Sequence, residues 1–285
     1  MSPTIPIKQI NRNQIYRYIY KHTKVSQQDI SSDLKLSMPT INQNLNALRS
    51  MGLISDQDTF ESTGGRKARA ISCVKDARIS IGLDITANHV SLVAIDMYAN
   101  ILHYNRIRHR YTDSFYYYAT LGKLIRSFIE RNEIDEKKIL GLGICLAAII
   151  DEDGRTIRSA RCLGAPADLY EKLKPHIPFP FRLINDANAG GFAQWWDMEQ
   201  DRTIIFLNLS NTVGGAMVNN RKLYLGDHQR SCEFGHVTLV PDGKPCYCGQ
   251  KGCVNAYCSA KNLSDMTDGK MSLFFEYVKD EQEPY

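Results

Sequence analysis

The stretch Glu233-Phe-Gly-His236, followed by Cys246-Tyr-Cys248-Gly-Gln-Lys-Gly-Cys253, places three thiols and one imidazole within eighteen positions. A set of three cysteines and one histidine suits the tetrahedral coordination of a structural zinc ion. The alternative is a disulfide or unrelated core cysteines, but a Cys-x-Cys pair bridges poorly because successive side chains on an extended strand point apart. The sequence therefore predicts a structural Zn²⁺ ion bound by His236, Cys246, Cys248 and Cys253.

The composition describes an ordinary globular protein. Of its 285 residues, 23% are charged and 43% are hydrophobic, and this length allows two domains, or three if one is small. The longest apolar run, Ile139–Ile150, is too short for a membrane span and predicts a buried strand. With no secretory leader in the sequence, we expect a cytoplasmic protein with no membrane partner, whose eight cysteines are metal ligands or reduced thiols.

The positive charge is concentrated near the N-terminus. Residues 1–72 contain ten Lys or Arg and five acidic residues, a net charge of +5, so the chain's total of +4 leaves −1 for the remainder. A basic segment joined to a nearly neutral body is typical of a module that binds a polyanion.

The basic segment has the pattern of three helices. Ser26-Gln-Gln-Asp29 resembles the capping box at the start of a second helix. Ser37 is placed to cap a third helix, with Pro39 in its first turn, where proline is tolerated. Gly52 is predicted to end this third helix.

A basic hairpin follows the three helices. A strand that begins at Leu53 is turned back by Ser62-Thr63-Gly64-Gly65, which predicts a winged helix-turn-helix in residues 1–72. Its third helix would enter the major groove, and its wing would contact phosphates. The alternative is a helical protein-docking module with an incidental basic loop. The candidate contacts with double-stranded DNA are Thr40, Asn42, Gln43, Asn46, Arg66, Lys67 and Arg69.

After a predicted linker at residues 73–77, the period becomes that of strands. Residues 79–85 alternate between apolar and polar side chains, and two more strands follow at hairpin spacing. A helix from about Ser114 and an alternation of strands and helices come next. This order predicts a second domain at residues 78–285 with an α/β fold of ribonuclease-H type.

Three motifs carry a family resemblance. Asn185-Asp186-Ala187-Asn188-Ala189, Glu233-x-Gly-His236 and Cys246-x-Cys248-Gly-x-x-Gly-Cys253 occur in the order and spacing of the ROK (repressor, open reading frame, kinase) family. The N-terminal module resembles the repressor branch, which includes xylose and N-acetylglucosamine repressors. The resemblance covers nearly the whole chain and implies an actin-like ATPase fold. It also implies further helices after Val278, so that the second lobe is incomplete here.

The resemblance implies a sugar site. In ROK kinases the aspartate of the Asn-Asp-Ala-Asn motif takes the proton of the sugar hydroxyl, and Asp186 matches it. Asn185, Glu233 and His236 match residues that contact the sugar, so these four residues are the candidate sugar-binding set. The structural alternatives are a helix N-cap for Asp186 and a solvated loop acid for Glu233.

The chain departs from the kinase pattern at both phosphate loops. In Asp84-Ile-Thr86-Ala87-Asn88 both glycines of the first loop are replaced, and in Ser210-Asn211-Thr212-Val213-Gly214 the first two glycines of the second loop are replaced. Glycine at these positions lets backbone amides approach phosphate. No catalytic activity is therefore expected. Ala147-Ala148 and Asn255 also stand where the family has Pro-Gly and Glu, which leaves the identity of the effector open.

Together these patterns predict a DNA-binding regulator, a repressor of sugar metabolism genes, that responds to a sugar or sugar derivative. A two-fold operator requires a two-fold protein, so a homodimer or tetramer is expected. The alternatives are a ROK-type sugar kinase with residual activity and a regulator that senses a protein partner.

Overall fold

The computed structural model describes residues 6–59, 69–196, 198, 202–267 and 270–279. The chain forms two compact units. The first contains the residues up to Ile79 together with 95–102 and 137–139, and the second contains the rest. The predicted boundary at residues 73–77 stays a prediction. Among the described residues, no helix has the length and apolar character needed to cross a bilayer.

Three helices form the N-terminal part of the first unit, and the predicted starts of the second and third are confirmed. The hydroxyl of Ser26 accepts from the Asp29 amide at 3.1 Å, and the Asp29 carboxylate accepts from the Ser26 amide at 2.8 Å, which completes a capping box. The hydroxyl of Ser37 accepts from the Thr40 amide at the start of the third helix. The helices are α1 (Ile7–His22), α2 (Gln27–Leu34) and α3 (Met38–Ser50).

A two-stranded antiparallel hairpin follows α3. Gly52, with φ +67°, turns the chain out of the helix, as predicted. The strands are β1 (Ile54–Thr59) and β2 (Arg69–Cys73), with Ile54 opposite Cys73. The turn between them lies outside the described residues. The arrangement of three helices and a hairpin is that of a winged helix-turn-helix.

A single apolar core holds the first unit together. Ile41, Leu45 and Leu48 of α3, at helical spacing, are at most 2% exposed. They pack into one cluster with apolar side chains from α1, α2 and the hairpin. The other buried members of this cluster are Ile15, Ile19, Val25, Ile30, Ile54, Ile71 and Cys73.

A five-stranded mixed sheet is the centre of the second unit. Its strand order is β5-β4-β3-β6-β9, and β6 and β9 run parallel, so their carboxyl ends lie side by side. Helix α4 (Phe115–Arg131) follows β5 and begins where predicted, and the Ser114 hydroxyl caps it. The strands are β3 (Ile79–Ile85), β4 (His89–Ile95), β5 (Ile101–Arg108), β6 (Ile139–Leu146) and β9 (Phe181–Asn185).

The predicted continuous strand at Ile139–Ile150 was wrong in its second half. Strand β6 ends at Leu146, and after Ala147 and Ala148 the chain forms β7 (Ile149–Ile150), which pairs with β8 (Ile157–Ser159). The apolar run continues through this break because the side chains stay partly or fully buried on a different sheet. Periodicity cannot separate one long buried strand from two short ones.

A second, three-stranded sheet packs against helix α6 (Asp186–Trp196). Its antiparallel order is β10-β11-β12. A Cβ at Gly191 of α6 would lie 2.6 Å from the Cβ of Ala216, so the close approach of helix and sheet requires glycine. The strands are β10 (Ile204–Leu209), β11 (Val213–Asn219) and β12 (Lys222–Leu223), and the other helices of this unit are α5 (Leu169–Leu173), α7 (Asn255–Cys258), α8 (Ala260–Asp265) and α9 (Met271–Lys279).

Candidate functional site

Three sulfurs and one imidazole converge in the second unit. His236 ends a short 3-10 helix, and Cys246, Cys248 and Cys253 lie in the chain that follows it. The four donor atoms all lie within 4.8 Å of one another. The Sγ atom of Cys246 is 3.7 Å from Nδ1 of His236, and the Sγ atoms of Cys248 and Cys253 are 3.8 Å apart.

These separations are those of a tetrahedral metal site. Two sulfurs at about 2.3 Å from one zinc ion, at the tetrahedral angle, are about 3.8 Å apart. The sulfurs of Cys248 and Cys253 lie at this separation. The cluster can therefore hold a metal ion, as the sequence predicted for these four residues.

Gly252 allows the cysteine loop to close. It has φ +79°, and a Cβ at this position would lie 1.7 Å from the carbonyl oxygen of Val240. Its own carbonyl accepts from the amides of Leu239 and Val240 at 2.7 and 3.1 Å. Only glycine combines this backbone conformation with this contact, so the residue that precedes Cys253 is fixed by geometry.

A cleft of about 490 Å³ opens beside the cluster. This volume is in the range of small-molecule sites. The four candidate sugar-binding residues lie on different elements, and all of them line this cleft: Asn185, Asp186, Glu233 and His236. The structure therefore brings together the set that the sequence singled out, and His236 belongs both to the cleft wall and to the cysteine cluster.

Asn185 and Asp186 enter the cleft at the end of β9 and the start of α6. The side-chain oxygen of Asn185 accepts from the Asn188 amide at 2.9 Å, and its amide group donates to the Ala148 carbonyl at 3.0 Å. Asn185 is thus the residue that caps α6, and the predicted N-cap alternative for Asp186 was wrong. Oδ1 of the Asp186 carboxylate accepts from the Ala187 amide at 2.9 Å.

Burial raises the pKa of both cleft carboxyl groups. For Asp186 the cause is burial, which outweighs the hydrogen bonds from backbone amides. For Glu233 burial is again the largest cause, and the nearby His236 and Arg230 oppose it. Glu233 lines the cleft and 39% of its side chain is exposed, so the solvated-acid alternative stays open.

Sequence reasoning missed other residues of the cleft. The hydroxyl of Tyr247 is 3.2 Å from Nε2 of His236, and the two rings meet edge to face at 5.2 Å. Its position between Cys246 and Cys248, two of the predicted metal ligands, was the signal that could have found it. Arg161, Cys162 and Arg230 also line the cleft, but no sequence motif marks them.

Residues 84–88, which match the first phosphate loop of the kinases, form a turn that is closed by its own hydrogen bonds. The amide of Thr86 donates to the carbonyl of His89, and the amide of His89 donates to the Thr86 hydroxyl, both at 3.0 Å. The carbonyls of Ala87 and Asn88 accept from backbone amides that follow β5. Two amides of this turn are therefore occupied by the chain itself. Asp84 is mostly buried, and burial together with the nearby Asp186 charge raises its pKa.

Asn255, two residues after Cys253, forms a hydrogen bond with residues 210–214, which match the second phosphate loop of the kinases. The Asn255 side chain is 7% exposed, and its oxygen accepts from the Val213 amide at 2.7 Å. The Ala260 amide donates to the Ser210 carbonyl at 2.8 Å. Asn255 does not line the cleft, so its substitution for Glu bears on the packing of this loop rather than directly on a cleft ligand.

The candidate DNA contacts lie in the first unit. Asn42, Gln43 and Asn46 are exposed on α3, on the side opposite its buried face, and Thr40 is partly buried. Arg69, at the start of β2, is exposed as well. The remaining two candidates, Arg66 and Lys67, lie outside the described residues.

Comparison with known protein families gives a match for each of the two units. Residues 80–275 match the model of the ROK family, more than half of the chain. The chain belongs to the ROK family. Residues 9–55 match a winged helix-turn-helix DNA-binding model. This ROK protein therefore carries a DNA-binding module in front of its family domain.

Relatives of this ROK protein include regulators and a kinase. It is 26% identical to the xylose repressor of Bacillus spizizenii over 262 residues, which cover 90% of this chain and 67% of that protein. It is 24% identical to the transcriptional dual regulator NagC of Escherichia coli, with 87% and 62% covered. The glucokinase of Streptomyces coelicolor is 28% identical, with 65% and 57% covered. The chain thus spans about two thirds of the length of the repressors it matches.

Solved structures agree on the fold. A ROK family transcriptional regulator, a homologue of the E. coli MLC protein, superposes with a TM-score of 0.73 at 19% identity and covers 93% of this chain and 69% of its own. A ROK glucokinase from Streptomyces griseus gives 0.57 at 23% identity, with 71% of each chain covered. The fold is α/β, a winged helix-turn-helix followed by a ROK domain of actin-like ATPase type, as predicted.

Proposed function

We propose that this protein is a transcriptional repressor of sugar metabolism genes that binds operator DNA and is released by a sugar or sugar derivative. The proposal is carried by one observation: all four candidate sugar-binding side chains line one cleft of the ROK domain, in a chain that also has a winged helix-turn-helix. The xylose repressor and NagC relatives support it. A protein that binds the chromosome of a bacterial cell works in the cytoplasm.

The DNA-binding half rests on α3. Its exposed amides, on Asn42, Gln43 and Asn46, can donate to and accept from base edges in the major groove. Arg66, Lys67 and Arg69 of the hairpin would contact phosphates. Because one module seldom supplies enough affinity, the protein would bind a two-fold operator as a homodimer or tetramer.

The effector half rests on the cleft. Carboxylates and amides pair with vicinal hydroxyls, and Asp186 and Glu233 enter the cleft from separate elements. A sugar that binds between them would favour one arrangement of these elements. It would shift DNA affinity only if it binds the released state more tightly than the DNA-bound state.

Zinc is the metal we propose for the cysteine cluster. His236, Cys246, Cys248 and Cys253 would hold it, and a closed set of three thiolates and one imidazole is typical of structural sites. The ion would supply rigidity rather than catalysis. With Nδ1 of His236 toward the sulfurs, Nε2 points to Tyr247 and the cleft, so the metal would orient a cleft donor.

The decisive experiment selects DNA sequences from a random pool with the purified, zinc-loaded protein, and repeats the selection with a panel of sugars. We expect a two-fold site that one sugar releases. A site that no sugar releases would favour the regulator that senses a protein partner. Failure to enrich any sequence would contradict the proposal.

Asp186→Asn should weaken the response to sugar without changing the affinity for DNA. We expect at least about a 10-fold rise in the sugar concentration that releases DNA, because a hydrogen bond to a charged group contributes roughly 1.5–3 kcal/mol. DNA affinity without sugar should stay unchanged. Both are measured by fluorescence anisotropy of a labelled operator, and Lys123→Ala, at an exposed position of α4, is the control.

Residual kinase activity is the alternative that we expect to fail. The closed turn at Thr86 and the Val213 amide held by Asn255 leave these loops poorly suited to a nucleotide. A coupled assay for ADP across a sugar panel should give no sugar-dependent signal. Sugar-dependent turnover that Asp186→Asn abolishes would restore the kinase interpretation.

A further inference from the structure

Arg49, near the end of α3, is engaged by two side chains at once. Its Nε atom donates to Oδ2 of Asp56 at 2.7 Å, and its Nη2 atom donates to Oδ1 of the same carboxylate at 3.0 Å. Its remaining terminal nitrogen, Nη1, donates to Oδ1 of Asn46 at 2.9 Å. A bidentate guanidinium–carboxylate pair fixes orientation as well as distance, so Arg49 holds Asn46 from a rigid base on β1.

This contact settles which way the Asn46 amide points. A guanidinium only donates hydrogen bonds, so the Asn46 atom that faces Arg49 must be the carbonyl oxygen and not the nitrogen. The Nδ2 group of Asn46 has no partner among the described residues, and the side chain is exposed. Asn46 therefore presents two N–H donors, while its oxygen is held toward Arg49.

We propose that Arg49 is a positioning residue that makes Asn46 read guanine in the major groove. The proposal rests on the proposed DNA-binding function. The major-groove edge of guanine offers two acceptors, N7 and O6, whereas adenine pairs one acceptor with one donor. An asparagine recognises adenine through both its oxygen and its nitrogen, whereas the bond from Arg49 directs the Asn46 oxygen toward Arg49 and leaves the nitrogen as the group that faces outward.

The other role for an arginine on a DNA-binding helix is a contact with phosphate. Asp56 offsets the charge of Arg49, and the Arg49 side chain is 29% exposed. Arg69 lines the same surface recess and is exposed. Arg69 is thus the better candidate for phosphate, and the two arginines make a matched pair for a test.

The test measures the affinity of the full-length protein for its selected operator and for a set of operators with single base-pair changes. Wild type should lose about 5- to 150-fold when the guanine read by Asn46 becomes adenine. Asn46→Ala should abolish this discrimination at that base pair alone. Arg49→Gln should remove most of it at the same base pair, and the double variant should be no worse than Asn46→Ala.

Two controls separate positioning from other roles. Gln43→Ala, at another exposed position of α3, should combine additively with Arg49→Gln. Arg69→Ala should weaken binding to all sequences alike and lower the salt slope by about one. If Arg49→Gln behaves like Arg69→Ala, the positioning role is wrong.

Further outcomes are equally decisive. If Arg49→Gln does not fold, Asp56→Asn, which loosens the same anchor and leaves Arg49 in place, gives the test. A wild-type protein that selects a site but tolerates every guanine change overturns this inference and leaves the proposed function standing. A wild type that selects no site overturns the proposed function, and this inference with it.

Discussion

Cys246→Ser should yield a protein that purifies without zinc, whereas we expect one ion per parent chain. A hydroxyl replaces the thiolate in a set whose four donors lie within 4.8 Å of one another. Even partners outside the coordination sphere change metal affinity by about 10- to 100-fold, so the loss of a ligand should exceed about 100-fold. Metal content by mass spectrometry and the thermal unfolding midpoint are the measurements.

The variant should also lose its response to the effector. Without the ion, nothing anchors Nδ1 of His236, and the cleft wall formed by His236 and Tyr247 loses its fixed arrangement. We expect the sugar-dependent release of DNA to disappear together with the metal. The anisotropy assay on the selected operator measures both DNA affinity and release.

The chain offers a matched control for this change. Cys258 is an exposed cysteine at the end of α7 and is not a member of the cluster. Cys258→Ser should keep one zinc ion per chain, the parent unfolding midpoint and the parent response. A Cys246→Ser protein with a full equivalent of zinc would show that the cluster is not the metal site.

Leu45→Ala should unfold the DNA-binding unit at lower urea and leave the ROK domain unchanged. The Leu45 side chain is fully buried in the core of the first unit. Truncation of a buried leucine costs about 2–5 kcal/mol through lost transfer free energy and the cavity left behind. Since small domains have roughly 5–15 kcal/mol of stability, operator binding should weaken markedly at 37 °C.

The two units can be monitored separately. Both tryptophans, Trp195 and Trp196, lie on α6 of the second unit, so their fluorescence reports that unit alone. Far-UV circular dichroism also detects the three helices of the first unit. Leu45→Ala should move an early part of the dichroism transition to lower urea while the fluorescence transition stays in place.

Asn42→Ala is the matched control for the core change. Asn42 lies on the same helix and is exposed, so its truncation should alter the free energy of unfolding by no more than about 0.5 kcal/mol. If Leu45→Ala gives the same transitions as Asn42→Ala, the described core does not hold the first unit together.

The predictions made from local sequence patterns were the most reliable. Ser26, Ser37 and Ser114 each begin a helix as predicted, because a cap depends on hydrogen bonds within one turn of chain. Gly52 ends α3 for a similarly local reason. The break after β6 was missed because the side chains on both sides of it are apolar and buried.

The parts of the site that were missed depend on contacts between distant segments. The role of Asn255 appears only when its side chain meets the Val213 amide, 42 positions earlier in the chain. The capping role of Asn185 rather than Asp186 depends on which side-chain oxygen faces the helix amides. Neither contact has a sequence spacing that marks it.

The sequence by itself determined the order of the two units, the family and the set of side chains that converge into a potential metal site. Metal ligands and helix caps are read from spacing, because the donor atoms must be close along a short length of chain. The tertiary structure alone decided that Tyr247 lies against His236 and that Arg49 orients Asn46 from Asp56. Side chains on separate elements meet only after the core has packed, and rotamer choice then fixes which polar atoms face a ligand or a base.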